Sequence, residues 1–362
     1  MNNTKDKPWF SLQWHITSKC DQRCSHCYIF NSKEANKKED LSFSTISKIM
    51  SDFFSSCKTL DVYPDIALTG GDPLLRNDFF QILSEINNKI SKFGFGQFNI
   101  DIMGNPFHLN KDTCAKLKDH NISSYQLSLD GMENVHDSIR KKGGFRRTLE
   151  AIESLKNAGV NVHVMFTLSK TNSEDLFPLV RLLSEMNVDC FAFARLSRPE
   201  FMSLDDYKKI SFYPDEYKHY LSRVKKLYDS TYSSEKNKTY FALKDHLWKL
   251  FQFEIGELSL VDNNKDIVCS GCNLGISNLS ILSDGTVYAC RRFKSKVGKV
   301  PDEKILDIFL SSKKLNFYRK LENFSKCSKC ELLQYCRGCG AIAFNYSGSY
   351  FDPDPQCWKV VE

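Results

Sequence analysis

Cys20, Cys24 and Cys27 stand in the stretch Cys20-Asp-Gln-Arg-Cys24-Ser-His-Cys27-Tyr28, at x3 and x2 spacing, directly after an alternating apolar run from Phe10 to Ile16. A tight loop with this spacing turns three thiolates toward one point. Three thiolates hold a [4Fe–4S] cluster and leave its fourth iron without a protein ligand. An open metal position is where a small molecule binds and reacts. A zinc knuckle is the rival reading. Structural zinc sites close with a fourth Cys or His, and His26, adjacent to Cys27, is badly placed to complete the same tetrahedron.

The chain has 14 cysteines, and Met1–Pro8 is polar, without the apolar core of a signal peptide. Disulfides are therefore not expected, and metal sites are. Cys57, Cys114 and Cys190 stand alone and read as small apolar residues. The others form three groups, Cys20/24/27, Cys269/272/290 and Cys327/330/336/339/357. That number fits one open set of three and two closed sets of four. The C-x2-C pairs suit zinc as well as iron–sulfur clusters. Ile276–Leu282 and Val287–Cys290, around Asp284-Gly285, predict a β-hairpin that returns Cys290 toward Cys272.

The elements that must position these residues follow from periodicity. Strands are expected at Phe10–Ile16, Asp65–Thr69, Phe98–Met103, Tyr125–Leu129, Val160–Leu168 and Cys190–Leu196. Helices are expected at Ser44–Ser56, Asn77–Lys92, Lys111–Asp119, Thr148–Asn157 and Glu174–Met186, with a charged loop at Asn31–Asp40. Strand and helix alternate six times, as in a parallel sheet with helices outside. A doubly wound sheet and a partial barrel both fit. The unusual residues follow the strands' C-terminal ends, where barrel enzymes keep their chemistry. Asp215–Tyr228 and Tyr240–Phe253 read as amphipathic helices around a polar Asp229–Lys238 loop, their aromatics serving for packing. At 362 residues, 41% hydrophobic and 26% charged, the chain can bury more than one core. A net charge of +6 from scattered Lys and Arg gives no nucleic-acid footprint. No apolar run reaches spanning length, so no membrane partner and a cytoplasmic location are expected.

Cys20, Cys24 and Cys27 match the C-x3-C-x2-C signature of the radical S-adenosylmethionine (SAM) enzymes, with His26 where that family usually has an aromatic residue. The resemblance implies a partial (β/α)6 barrel. It also implies that SAM's methionine chelates the open iron and that reduction yields a 5′-deoxyadenosyl radical. Thr69-Gly70-Gly71-Asp72-Pro73 resembles the Gly-Gly-Glu-Pro motif that grips the SAM amino group, with Asp72 in place of Glu. Ser128, Asp130 and Arg140 resemble the set near the SAM ribose and carboxylate. Asn105 follows the third strand, Leu196 matches an adenine-packing residue, and the Tyr28 backbone is expected at the adenine edge.

Gly285-x4-Cys290 and Cys327-x2-Cys330-x5-Cys336 resemble the SPASM domain, which carries auxiliary clusters in many peptide-modifying radical SAM enzymes. The x2 spacing from Cys336 to Cys339 is shorter than the usual x3. The family's interleaved ligation assigns Cys269, Cys272, Cys290 and Cys339 to one cluster and Cys327, Cys330, Cys336 and Cys357 to another. This implies three [4Fe–4S] clusters in all. The implied layout is a radical SAM barrel over 1–200, a helical bridge over 201–262 and a cysteine-rich α+β SPASM domain over 263–362.

The activity so implied is hydrogen abstraction from a residue of a ribosomally made precursor peptide, ending in a crosslink, an epimerisation or an oxidation. A flavodoxin or ferredoxin-type protein would donate electrons. Only 19 residues precede Cys20, so leader recognition is expected on the barrel–SPASM surface or on a separate leader-binding protein. In sulfatase-maturing relatives an Asp follows the hairpin cysteine and acts as base. Here Arg291 stands there, stays protonated, and is expected to orient a substrate carboxylate. Tailoring of a tetrapyrrole or sugar, and a non-catalytic iron–sulfur or zinc scaffold, are the other readings.

Overall fold

The computed structural model describes residues 7–29, 39–233, 237–260 and 267–361. Most of the expected Asn31–Asp40 loop and the centre of the Asp229–Lys238 loop lie outside the described residues. Ten strands form one sheet: β1 (Trp9–Thr17), β2 (Tyr63–Gly70), β3 (Asn99–Met103), β4 (Ser124–Ser128), β5 (Asn161–Leu168), β6 (Cys190–Arg195), β7 (Tyr240–Ala242), β8 (Asn278–Ile281), β9 (Thr286–Tyr288) and β10 (Lys296–Lys299). Their order is β10-β9-β8-β1-β2-β3-β4-β5-β6-β7. Strands β1 to β7 pair in parallel, and β8 adds in parallel to the free edge of β1. The β8–β9 and β9–β10 pairs are antiparallel. The architecture is the expected α/β partial barrel followed by a small cysteine-rich α+β unit. The sheet is wider than six strands because it continues across both edges of the barrel.

Alternation along the strands sorts the two faces. Leu12, Ile66, Ile100, Tyr125, Val162 and Phe191 are buried against the helices. The residues between them, Ser11, Gln13, Asp65, Asp101 and Gln126, line the barrel's hollow side. A closed eight-stranded barrel fills its interior with branched apolar side chains; this interior mixes polar side chains with Ala67, Met103, Met165 and Ala194 and holds space.

The outer helices form where periodicity and capping agree. In Phe43–Leu60, Ile46, Ile49, Met50, Phe53, Phe54 and Cys57 face the core, Ser42 accepts a bond from the Thr45 N–H, and Asp61 ends the helix at φ 54°. This stripe packs against the sheet at three- and four-residue spacing. Among the lone cysteines, Cys57 and Cys114 are buried in that apolar layer.

One expected helix is in part a strand. Tyr240–Phe253 divides into β7, the loop 243–247 and a helix from Trp248 to Glu254. The Tyr240–Ala242 backbone pairs with Cys190–Ala192 of β6, and a ladder with an existing edge outweighs local helical spacing. Helices Glu133–Ile139 and Leu204–Ile210 also form, beyond those expected. The bridge aromatics Tyr217, Tyr220, Tyr228, Phe241, Trp248 and Phe251 are buried in the core, whereas Tyr240 is exposed.

A buried ion network ties the parts together. The Arg195 guanidinium, 1% exposed, donates from Nε to Asp245 Oδ2 at 2.9 Å and from Nη1 and Nη2 to the two Asp354 oxygens at 2.8 Å each. It also bonds Gln356 and lies over the Tyr217 ring at 4.7 Å. Asp354 Oδ2 in turn accepts the Cys339 N–H at 2.9 Å. The end of β6, the loop after β7 and the C-terminal tail are thereby fixed to one another. Removing one partner of a buried pair strands an uncompensated charge at a cost of about 3–5 kcal/mol. Arg195→Met is expected to lower unfolding stability by that amount in chemical denaturation. Adding Asp245→Asn and Asp354→Asn should recover much of the loss; a single variant as stable as the parent would contradict the role.

Candidate active site

The cysteine loop leaves the C-terminal end of β1 and is clamped by the turn after β2. Gly71 N–H donates to Thr17 O at 3.0 Å, and Asp72 N–H to Lys19 O at 2.7 Å. A Cβ on Gly70 would lie 2.1 Å from Thr17 O, and one on Gly71 would lie 1.9 Å from Lys19 O and 2.9 Å from Cys20 Cβ. Gly70 has φ +142° besides, a conformation that L side chains rarely adopt. The paired glycines are therefore required by the chain's own cysteine loop, in addition to any ligand.

One cavity of about 800 Å³ collects most of the expected site. Its walls include Cys20, Cys24 and Cys27, the SAM candidates Tyr28, Gly70, Gly71, Asn105, Ser128, Arg140 and Leu196, and also Cys272 and Cys290. Asp72, Pro73 and Asp130 are not among its lining residues; they stand behind the wall. Asp130, with no exposed surface, holds Arg140 Nε at 2.5 Å, accepts the Thr167 N–H at 2.8 Å and lies 3.6 Å from His26 Nε2. Burial opposes the Asp130 charge, but Arg140 and His26 outweigh it and hold the carboxyl below its usual range. Arg140 Nη1 reaches the Cys24 Sγ at 3.8 Å. Asp130 thus aims Arg140 at the cysteine loop, and His26 fills a place beside that pair. Asn105 Nδ2 donates to Asp21 at 2.7 Å, fixing the loop from the β3 side. Burial pushes the Asp72 carboxyl up to about 6; its Oδ1 accepts the Leu74 N–H at 3.1 Å.

The C-terminal cysteines fall into two neighbourhoods. Cys272, Cys290 and Cys339 surround one another electrostatically. Cys269 is the exposed member of its C-x2-C pair, its N–H held by Gln334 O at 2.9 Å. Cys327, Cys330, Cys336 and Cys357 form the second neighbourhood. The Arg292 guanidinium reaches Cys339 Sγ at 3.5 Å and the Arg195 carbonyl at 2.6 Å.

The donor sets fit iron–sulfur clusters better than single zinc ions. Zinc held at about 2.3 Å by each thiolate brings sulfurs to about 3.8 Å from one another. Among the described residues no three cysteine sulfurs lie mutually within 4.8 Å, a wider spread than one zinc ion holds. Burial raises the thiols, Cys20 to about 11 and Cys290, Cys327 and Cys336 to about 12. Such thiols ionise only when a cationic group takes their place in the balance, with release of protons.

A second cavity of about 520 Å³ meets the first at Tyr28, Ile29, Arg198 and Arg292. Arg291 lines this outer groove and not the chamber. Its guanidinium lies over the Tyr28 ring at 5.1 Å, and its Nε is buried without a hydrogen-bond partner. Leu243, Lys244, Asp245, His246 and Lys249 also line the chamber. Reading the sequence as an amphipathic helix there hid them; the loop after β7 is what turns them inward.

The comparisons with known proteins agree with this fold. The radical SAM superfamily model matches residues 14–183, and the iron–sulfur cluster-binding SPASM domain model matches residues 269–340. The AdoMet-dependent heme synthase of Methanosarcina barkeri is 24% identical over 356 residues, covering 96% of this chain and 95% of its own. Streptococcus suis SuiB bound to SAM superposes with a TM-score of 0.73 at 19% identity, over 98% of this chain and 78% of that one. SuiB has also been solved bound to the precursor peptide SuiA. AnSMEcpe with bound AdoMet gives a TM-score of 0.76 at 18% identity, over 97% and 94%. These two structures share the fold.

Gly71→Ala is expected to push the loop bearing Cys20 off the β2 turn. Overpacking of this kind costs about 1–3 kcal/mol. The variant should bind less iron than the parent after anaerobic reconstitution, with the deficit confined to the N-terminal site. Full iron content at parental stability would contradict the clamp.

Proposed function

From a chain built of a radical SAM domain and a SPASM domain, we propose a peptide maturase, which takes a hydrogen atom from one residue of a ribosomally made precursor. The observation that carries this reading is the outer groove that opens into the chamber. Tyr288, Phe293, Phe344 and Tyr346 give it apolar walls, and Arg198 and Arg291 give it positive charge, while Lys294 pairs with Glu200 of the same groove at 2.8 Å. An extended peptide spans about 3.3–3.6 Å per residue, so a few residues would bridge the groove and place the next side chain in the chamber. SuiB, of the same fold, was solved with its precursor peptide.

Cys20, Cys24 and Cys27 would hold the SAM-binding cluster. Cys269, Cys272, Cys290 and Cys339, and Cys327, Cys330, Cys336 and Cys357, would hold two auxiliary ones. With SAM bound, the first cluster would pass one electron from a flavodoxin or ferredoxin-type donor to SAM, whose C–S bond would break to give methionine and a 5′-deoxyadenosyl radical. The backbone at Gly70 and Gly71, with Asn105, Ser128 and Arg140, would orient SAM. Tyr28 and Leu196 would border its adenine. Arg291 cannot accept a proton; at the groove it would steer an acidic stretch of peptide, and its place over Tyr28 keeps it at the chamber mouth. A peptide seated there would exclude water while the radical is present. Leader binding falls to the groove's outer walls or to a separate protein.

Tailoring of a tetrapyrrole is the second reading, favoured by the likeness to the M. barkeri heme synthase over 96% of the chain. Co-expression with short peptides encoded beside the gene, read by mass spectrometry, separates the two. A peptide mass change that disappears with SAM cleavage supports the first. Arg291→Ala should reduce that modification severalfold. Conversion of iron-coproporphyrin III with no peptide modified would favour the second.

A further inference from the structure

Among the described residues, one cation on the chamber wall has neither a hydrogen bond nor an ion pair from its side chain. Arg140 and Arg195 have carboxylates, at 2.5 Å and 2.9 Å. Arg292 has the Arg195 carbonyl at 2.6 Å, Arg198 has the Met202 carbonyl at 3.0 Å, and Lys249 has Gln252 Oε1 at 3.3 Å. Lys244, in the loop after β7, lines the same chamber. Among the described residues its ammonium forms no hydrogen bond and has no carboxylate within 4.0 Å. The side chain is accessible, yet protein surrounds it densely, as expected of a group projecting into an internal space. Burial and the nearby Arg292 hold its ammonium below the usual lysine range, while Cys190 and Asp101 act against that. An ammonium that faces the ligand chamber with no hydrogen bond or ion pair of its own is available to a partner that arrives with the ligand.

The surroundings narrow the partner's chemistry. Asp101 and Asp65 also line the chamber. Their oxygens already accept the Ser124 hydroxyl at 2.6 Å and the Ser11 hydroxyl at 2.5 Å, and burial raises both carboxyls. A phosphate dianion would face two acidic groups besides the lysine. A single carboxylate asks for one positive charge and a few donors, which Lys244 supplies as a compact point charge. Gln13 and Gln126, on the same wall, offer further amide donors.

We propose that Lys244 forms a carboxylate-binding subsite that sets how deeply the substrate enters the chamber. The proposal rests on the chamber being the substrate site. It takes an acidic side chain or C-terminus of a peptide, or a propionate of a tetrapyrrole; the chemistry is shared. The Lys244 charge acts on Cys190 and His163, near the N-terminal ends of β6 and β5, whereas the Cys20 loop follows a strand's C-terminal end. The subsite would therefore hold the far end of the entering group and leave the reacting carbon toward SAM.

The test measures binding without reductant, on the reconstituted holoenzyme with SAM. The probes are N-acetyl-Gly-Gly-Glu-Gly-Gly-amide against its Gln counterpart, and coproporphyrin III against its tetraamide. The parent should prefer the acid of one pair by about tenfold. Lys244→Met should lose that preference, and Lys244→Arg should keep most of it. The pair that responds identifies the source of the carboxylate. Thermal unfolding establishes that the variants fold. If Lys244→Met does not fold, acylation of Lys244 in the parent by acetic anhydride decides: protection by the acid probe supports the subsite, and equal labelling overturns it. No preference in either pair, or a preference that survives Lys244→Met, also overturns it. Since no turnover is needed, a failure to modify peptide leaves this result standing.

Discussion

A guanidinium in a protein interior survives only if its charge is matched, and Arg195 is matched by residues from two distant parts of the chain. Asp245 comes from the loop after β7, and Asp354 and Gln356 from the tail. The same Asp354 holds the Cys339 backbone, and only glycine fits at position 338, since a Cβ there would lie 2.4 Å from Asp354 Cβ. The position of the C-terminal cysteines is therefore set by the last strand of the six-stranded core. The cysteine-rich unit is built against the barrel rather than appended to it. The β1–β8 pairing makes the same connection at the opposite edge of the sheet.

The result is a chamber with two kinds of wall. On one side the strands present polar residues, with space between them. On the other stand the loop after β7 and the C-terminal unit, with Lys244, Cys272 and Cys290. Such a site suits radical chemistry, where the reactive species must meet substrate and neither water nor protein. The cysteine loop itself is held by contacts that leave no room for a methyl group at Gly71.

Much of this was legible in the sequence where the signal is local. The six core strands follow from apolar alternation and their order from the family resemblance, and the loops bearing Gly70 and Asn105 follow from punctuation after strands. What escaped depends on contacts distant in sequence. Tyr240–Ala242 is too short to show a strand period, and Leu247, Leu250 and Phe251 continue a helical spacing behind it. Its pairing with β6 decides its state. The addition of β8 to β1 joins residues more than 250 positions apart and leaves no local mark. Lys244 is an ordinary lysine in sequence; only the turn after β7 sends it into the chamber. The glycine pair was expected from a motif, but its steric reason, the carbonyls of Thr17 and Lys19, appears only when the loop is in place.

The central claim is that the loop after β1 is the place where SAM is cleaved. It is tested most directly by measuring 5′-deoxyadenosine formed by the reduced, reconstituted protein and by its Cys20→Ala/Cys24→Ala/Cys27→Ala variant. The account predicts that the parent forms it and the variant forms none, while the variant keeps the iron of its C-terminal cysteines. Reductant-dependent SAM cleavage that survives in the variant would contradict it.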